Sequence, residues 1–192
     1  MVRRIVAIAS LVLGFLATTA LPTPVAAAPE GKHCVFLLVP VSTDPATETI
    51  EATVEEGGCY PTLEDALSAG TGTDVSLSPG TGPEDLTIGM ITTADVPTGG
   101  DTLIGTEYNQ VNFEGSTASW FAPRGCANTT WEVPFVGNDW NDRFASGRGF
   151  GTCDHNRKFQ HSNFDGSSIL CTPNCSTYGS LNNEVSSLRW RD

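Results

Sequence analysis

Two six-residue stretches carry oxygens at a spacing that suits a hard cation. Asn141-Asp142-Arg143-Phe144-Ala145-Ser146 and Asn182-Asn183-Glu184-Val185-Ser186-Ser187 each open with two Asn/Asp residues and close on serine. Calcium takes six to eight oxygens from carboxylates, amides, hydroxyls, backbone carbonyls and water. The same residue types also stabilise tight turns by bonding to their own backbone, so the pattern fits a metal site and a solvated turn alike. A second candidate is Cys171-Thr172-Pro173-Asn174-Cys175. A disulfide there would hold three residues in nearly one conformation, and a rigid segment enters a cleft with little loss of entropy. That is the logic of a peptidase inhibitor, although Thr172 is smaller and more polar than a thermolysin-like cleft favours. His33, His155 and His161 are the three histidines, and no G-x-S-x-G accompanies them. Nothing here suggests a nucleophile with an oriented base, and the chain is expected not to be an enzyme.

The hexamers need a scaffold, and a repeat supplies one. Tyr108-Asn109-Gln110-Val111-Asn112-Phe113-Glu114-Gly115 and Phe159-Gln160-His161-Ser162-Asn163-Phe164-Asp165-Gly166 both read aromatic, four residues, Phe, acid, Gly, at an offset of 51 residues. An aromatic near a strand end can pack under the hairpin that follows, and the glycine permits the positive φ where the chain folds over the ring. Each such hairpin precedes one hexamer.

On these residues, the stretch over residues 101–192 resembles the βγ-crystallin superfamily, and within it the secreted bacterial branch of peptidase inhibitor family I36. The resemblance implies two Greek keys packed as a sandwich of two four-stranded sheets. It implies calcium oxygens from the second-position side chain, the third-position carbonyl and the fifth-position hydroxyl of each hexamer. Those are Asp142 and Arg143 in the first, and Asn183, Glu184 and Ser186 in the second. Ala145 departs from the pattern because it has no oxygen to offer, so at most one weak calcium site is expected. The resemblance also implies that Cys171–Cys175 could carry an inhibitory segment against an extracellular metallopeptidase.

The rest of the chain sets the context. Arg3 and Arg4, an apolar run to Leu21 and the small residues of PVAAAPE form a secretory leader, expected over residues 1–27. Its removal leaves eight basic side chains against 22 acidic ones, a net charge of −14. Such a chain repels phosphate backbones, which argues against nucleic acid as a partner. No apolar run after the leader reaches the roughly 20 residues of a membrane helix. Six cysteines in a secreted chain imply three disulfides. Proximity favours Cys34–Cys59, Cys126–Cys153 and Cys171–Cys175.

Composition changes near residues 96–101. Residues 29–100 hold 12 acidic side chains and one basic one, whereas residues 101–192 hold 10 and 7. The first part, residues 28–100, is expected to be a small α+β region of unknown role. CVFLLVPV and TIEATVEE suggest strands. Thr62 caps a helix with Leu63, Ala66 and Leu67 inward, and Gly70 ends it. VSLSPGTGPEDL suggests a short strand, a loop and a helical turn from Pro83. The second part is mainly β, with strands at TLIGTEY, STASWFA, TWEVPF, RKFQ, SSILC and EVSSLRW. GRGFG reads as a flexible connection. Arg148, Arg157 and Lys158 are expected to balance nearby acids. Candidates for the core or its rim are Trp120, Trp131, Phe135, Leu170, Leu188 and Trp190. The sum is a secreted, non-catalytic binding protein with weak calcium affinity, with peptidase inhibition as the alternative.

Overall fold

The computed structural model describes residues 32–44, 46–78, 80–86 and 102–192. The leader and the boundary at residues 96–101 lie outside the described residues. In chain order the strands are β1 (His33–Asp44), β2 (Thr49–Tyr60), β3 (Thr102–Tyr108), β4 (Thr117–Ala122), β5 (Thr130–Val133), β6 (Ser146–Gly149), β7 (His155–Phe159), β8 (Ser168–Cys171) and β9 (Ser187–Arg191). One helix, α1 (Leu63–Thr71), follows β2. Of the expected elements, the short strand near Val75 is absent, and Pro83–Asp85 forms a single 3-10 turn.

Hydrogen bonds join the strands in the order β6-β3-β4-β1-β2-β5-β9-β7-β8. The ribbon folds over on itself, so that β3 and β4 face β7 and β9 across an apolar core. The Trp120 ring on β4 lies 5.6 Å from that of Trp190 on β9, and Phe36 stacks on Trp120 at 4.7 Å. Gly105 on β3 is required here, because a Cβ would strike the Trp190 indole. After β4 the chain crosses over, and β5 pairs with β9 of the opposite layer. In return, Cys175 bridges to Gly147 on β6 of the first layer. Each Greek key thus lends one strand to the other's sheet.

The β1–β2 hairpin closes the gap left by this exchange. β1 pairs parallel with β4, His33–Leu37 against Thr117–Phe121, and β2 pairs parallel with β5, Thr49–Glu51 against Thr130–Glu132. Two edges that would otherwise expose unpaired backbone groups are covered. Phe36, Leu38, Ile50 and Ala52 enter the same core as Trp120, Trp131, Leu188 and Trp190. The acidic stretch and the stretch after residue 101 therefore share one sheet and one core.

The helix starts as its sequence implies. Thr62 Oγ1 accepts from Asp65 N at 3.1 Å, and Leu63, Ala66 and Leu67 are buried. It does not stop at Gly70 but at Gly72, which takes φ 68°. Gly70 has another purpose: the Phe121 ring of β4 occupies the place of its missing side chain. Through that contact α1 covers the outer face of the β3–β4–β1 layer, in a cluster with Val35, Leu103, Phe121 and Phe150.

A buried ion pair crosses between the layers. Lys158 on β7 pairs with Glu107 on β3, both essentially inaccessible, and the Tyr178 hydroxyl donates to the other Glu107 oxygen. Desolvation lowers the Lys158 pKa, with Glu107 opposing, and raises that of Tyr178. Lys158 therefore belongs to no surface patch with Arg148 and Arg157. Arg148 instead donates to the Leu86 and Glu84 carbonyls. Of the candidates for the core or its rim, Trp120, Trp131, Leu188 and Trp190 are buried, and Phe135 and Leu170 are 40% and 39% exposed. On β8, strand alternation turns Ile169, not Leu170, toward the core.

Candidate functional site

The two hairpins that position the hexamers are built alike. Tyr108 meets Phe113 edge to face at 5.6 Å and 71°, and Phe159 meets Phe164 at 5.5 Å and 71°. Gly115 and Gly166 take φ 82° and 77° where the chain folds back. The last serine of each hexamer fastens its own hairpin. Ser146 Oγ donates to Gln110 O at 2.6 Å and accepts from Phe113 N at 3.0 Å. Ser187 Oγ donates to His161 O at 2.7 Å and accepts from Phe164 N at 3.1 Å. These sixth-position serines are structural.

The hexamers also cross. Asp142 N donates to Val185 O at 3.2 Å, and Asn183 N donates to Phe144 O at 2.8 Å. Both Asp142 (φ 58°) and Asn183 (φ 59°) are left-handed and exposed. Further pairs repeat across the pseudo-twofold: Ala145 N to Tyr108 O matches Ser186 N to Phe159 O, and Tyr178 N to Ala145 O matches Val136 N to Ser186 O. The two repeats, each an aromatic hairpin followed by a hexamer, are thus joined reciprocally through their hexamers.

Solved structures similar to part of this chain include βγ-crystallins and βγ-crystallin domains. A βγ-crystallin from an archaeon is 22% identical over 46% of this chain and 98% of its own, with a TM-score of 0.35. A βγ-crystallin domain from Clostridium beijerinckii is 16% identical over 46% of this chain and 97% of its own, with a TM-score of 0.36. The βγ-crystallin domain of the Abundant Perithecial Protein from Neurospora crassa, in its Ca2+-bound form, is 22% identical over 48% and 91%, with a TM-score of 0.37. No family model and no curated protein matches the sequence.

The crossing distributes the five metal candidates unequally. On one side, the Asp142 backbone lies against Val185, next to Ser186. Ser186 Oγ donates to Gln160 O at 2.8 Å, and Gln160 Nε2 donates to Glu184 Oε2 at 2.8 Å. The backbone bond thus sets Asp142 beside the strand that carries Ser186, whose hydroxyl is bonded to the Gln160 carbonyl, while the Glu184 carboxylate is held by the Gln160 side chain. Asn141 Oδ1, beside Asp142, is buried and unpartnered. On the other side, Asn183 lies against Phe144, next to the methyl group of Ala145, and the flanking Arg143 carries positive charge. The residues fit calcium on the Ser186 side and not on the Ala145 side. The donors are mixed oxygens; among the described residues no three His, Cys, Asp or Glu side chains cluster.

The disulfides are Cys34–Cys59, Cys126–Cys153 and Cys171–Cys175. The last loop is tied to the fold. Cys175 exchanges both backbone hydrogen bonds with Gly147, and Pro173 O accepts from Gly149 N at 3.1 Å and from Asn156 Nδ2 at 2.8 Å. Thr172 and Asn174 are its exposed side chains. Of the histidines, His33 Nδ1 meets Thr117 Oγ1 at 3.0 Å, and desolvation lowers its pKa.

Proposed function

We propose that the protein is an extracellular, non-catalytic binding protein with one weak calcium site, on the Ser186 side of the crossed hexamers. The observation that carries this reading is the hydrogen bond from Asp142 N to Val185 O. It sets the charged second position of one hexamer beside the one fifth-position hydroxyl that the pair retains. Charge and hydroxyl therefore fall on the same ion, and the neutral amide and the methyl group fall on the other. Asp142 and Ser186 supply side-chain oxygens, with backbone oxygens and water completing the shell. A dissociation constant on the order of 10⁻⁴ to 10⁻³ M suits a site of this kind. Three disulfides support an oxidising compartment.

The test is a thermal melt with and without calcium. At a tenfold excess over the dissociation constant, linkage adds about 1.4 kcal/mol, a rise of a few degrees in Tm. The rise is expected to vanish in Asp142→Ala and in Ser186→Ala. An unchanged Tm in millimolar calcium would reduce both hexamers to turns.

A further inference from the structure

The two outer faces of the sandwich differ. One is covered by α1. The other, formed by β2, β5, β9, β7 and β8, is open, and its centre is a cavity of about 680 Å³. The side chains that alternate outward on β7 and β9 are His155, Arg157, Arg189 and Arg191. The register places Arg157 directly opposite Arg189, and His155 directly opposite Arg191. Like charges facing each other across a strand pair destabilise a sheet. The chain has 22 acidic side chains, yet among the described residues Glu132 is the one carboxylate in this cavity, where it pairs with Arg189 at 2.5 Å. Glu132 offsets Arg189 alone, which leaves Arg157 and Arg191 without a carboxylate among the residues that line the cavity. Opposed cations in one concavity describe a surface completed by an anion.

The lining narrows the ligand. Neighbouring strands lie about 4.8 Å apart and alternate residues about 7 Å apart along a strand, so the three arginines spread their charge over a span that several linked acidic groups match better than one. Three threonine hydroxyls, Thr47, Thr49 and Thr130, line the cavity on the β2–β5 side, and Phe159 and Leu170 line it on the β7–β8 side. Hydroxyls, an apolar edge and spaced cations together suit a sugar chain that bears repeated acids. The acidic remainder of the protein disfavours a long polyanion and limits the ligand to a segment that fits the cavity.

We propose that this face binds a short acidic saccharide through Arg157, Arg189 and Arg191. This gives a ligand class to the binding protein proposed above, and it is independent of the calcium site. The test is therefore run in EDTA, by calorimetry and by amide shift mapping, with trigalacturonate as probe and maltotriose and citrate as comparisons. Trigalacturonate is expected to bind and to shift amides of β5, β7 and β9. Arg157→Gln with Arg191→Gln should weaken it at least tenfold at unchanged Tm. Glu132→Gln should tighten it a few-fold by removing the competing carboxylate. Shifts confined to other surfaces, or equal binding of maltotriose, would overturn the site. Citrate binding as tightly as trigalacturonate would overturn the saccharide assignment. A calcium-dependent Tm in the same preparation keeps either failure separate from that of the metal site.

Discussion

Ser146 in the first repeat and Ser187 in the second make the same two hydrogen bonds to equivalent hairpin atoms. One residue earlier the repeats part: Ser186 carries a hydroxyl and Ala145 a methyl group. The difference separates two demands that one hexamer has to meet. The sixth position holds a corner that the fold requires, and both copies keep it. The fifth position, on the function proposed above, serves an ion, and only one copy keeps the hydroxyl. A duplicated fold can lose half its ligand chemistry without losing its shape.

The largest effect is expected where the repeats meet in the core. Glu107 and Lys158 each directly precede a corner aromatic, at the same offset of 51 residues, and they pair with each other. Lys158→Ala or Glu107→Ala leaves one uncompensated buried charge and is expected to cost about 3–5 kcal/mol in urea unfolding. The combined Glu107→Leu, Lys158→Met, Tyr178→Phe variant removes every member of the network and should be near wild type or more stable. If the combined variant were clearly less stable than wild type, the pair would be a net source of stability.

Next come the corner serines. Ser146→Ala and Ser187→Ala each strand the Phe113 or Phe164 amide, and each is expected to cost about 1–3 kcal/mol. The two losses should agree within experimental error, since the bonds agree. Unequal losses would show that the repeats differ in more than their ligands.

Alkaline pH gives a smaller, graded effect. Burial raises the pKa of Tyr108 and Tyr178 above the ordinary value near 10, with Glu107 adding to the Tyr178 shift. A raised pKa means that the folded state retains protons that the unfolded chain gives up. The corresponding stability is intact below pH 10 and is lost as pH climbs above it. Denaturation midpoints measured from pH 9 to 11.5 should fall, and Tyr178→Phe should flatten the fall, leaving Tyr108 as its remaining source.

Much of this was legible in residue spacing. The aromatic–Phe–Gly repeat and the hexamers predicted two folded corners brought together, and the Thr62 cap predicted where α1 begins. What was hidden depends on partners distant in sequence. Nothing in CVFLLVPV or TIEATVEE says that their hairpin is hydrogen-bonded between β4 and β5, because apolar alternation sets a face and not a neighbour. Gly147 and Gly149 looked like flexibility, yet they lie in β6. A Cβ on Gly147 would strike Tyr178 and Glu107, and one on Gly149 would strike Cys153 and Asn156. The cationic face was scattered over Arg157, Arg189 and Arg191, and only the register of β7 with β9 brings it together. Residue type alone did not separate core from rim, and Phe135 and Leu170 are the two of the six candidates that lie outside the core.

The most direct measurement is the calcium stoichiometry by isothermal titration, in wild type, Asp142→Ala, Asn183→Ala and Ala145→Ser. The account predicts one ion per chain in wild type, none in Asp142→Ala, one in Asn183→Ala, and a second in Ala145→Ser. Two equal ions in wild type, or binding that survives in Asp142→Ala and disappears in Asn183→Ala, would contradict it.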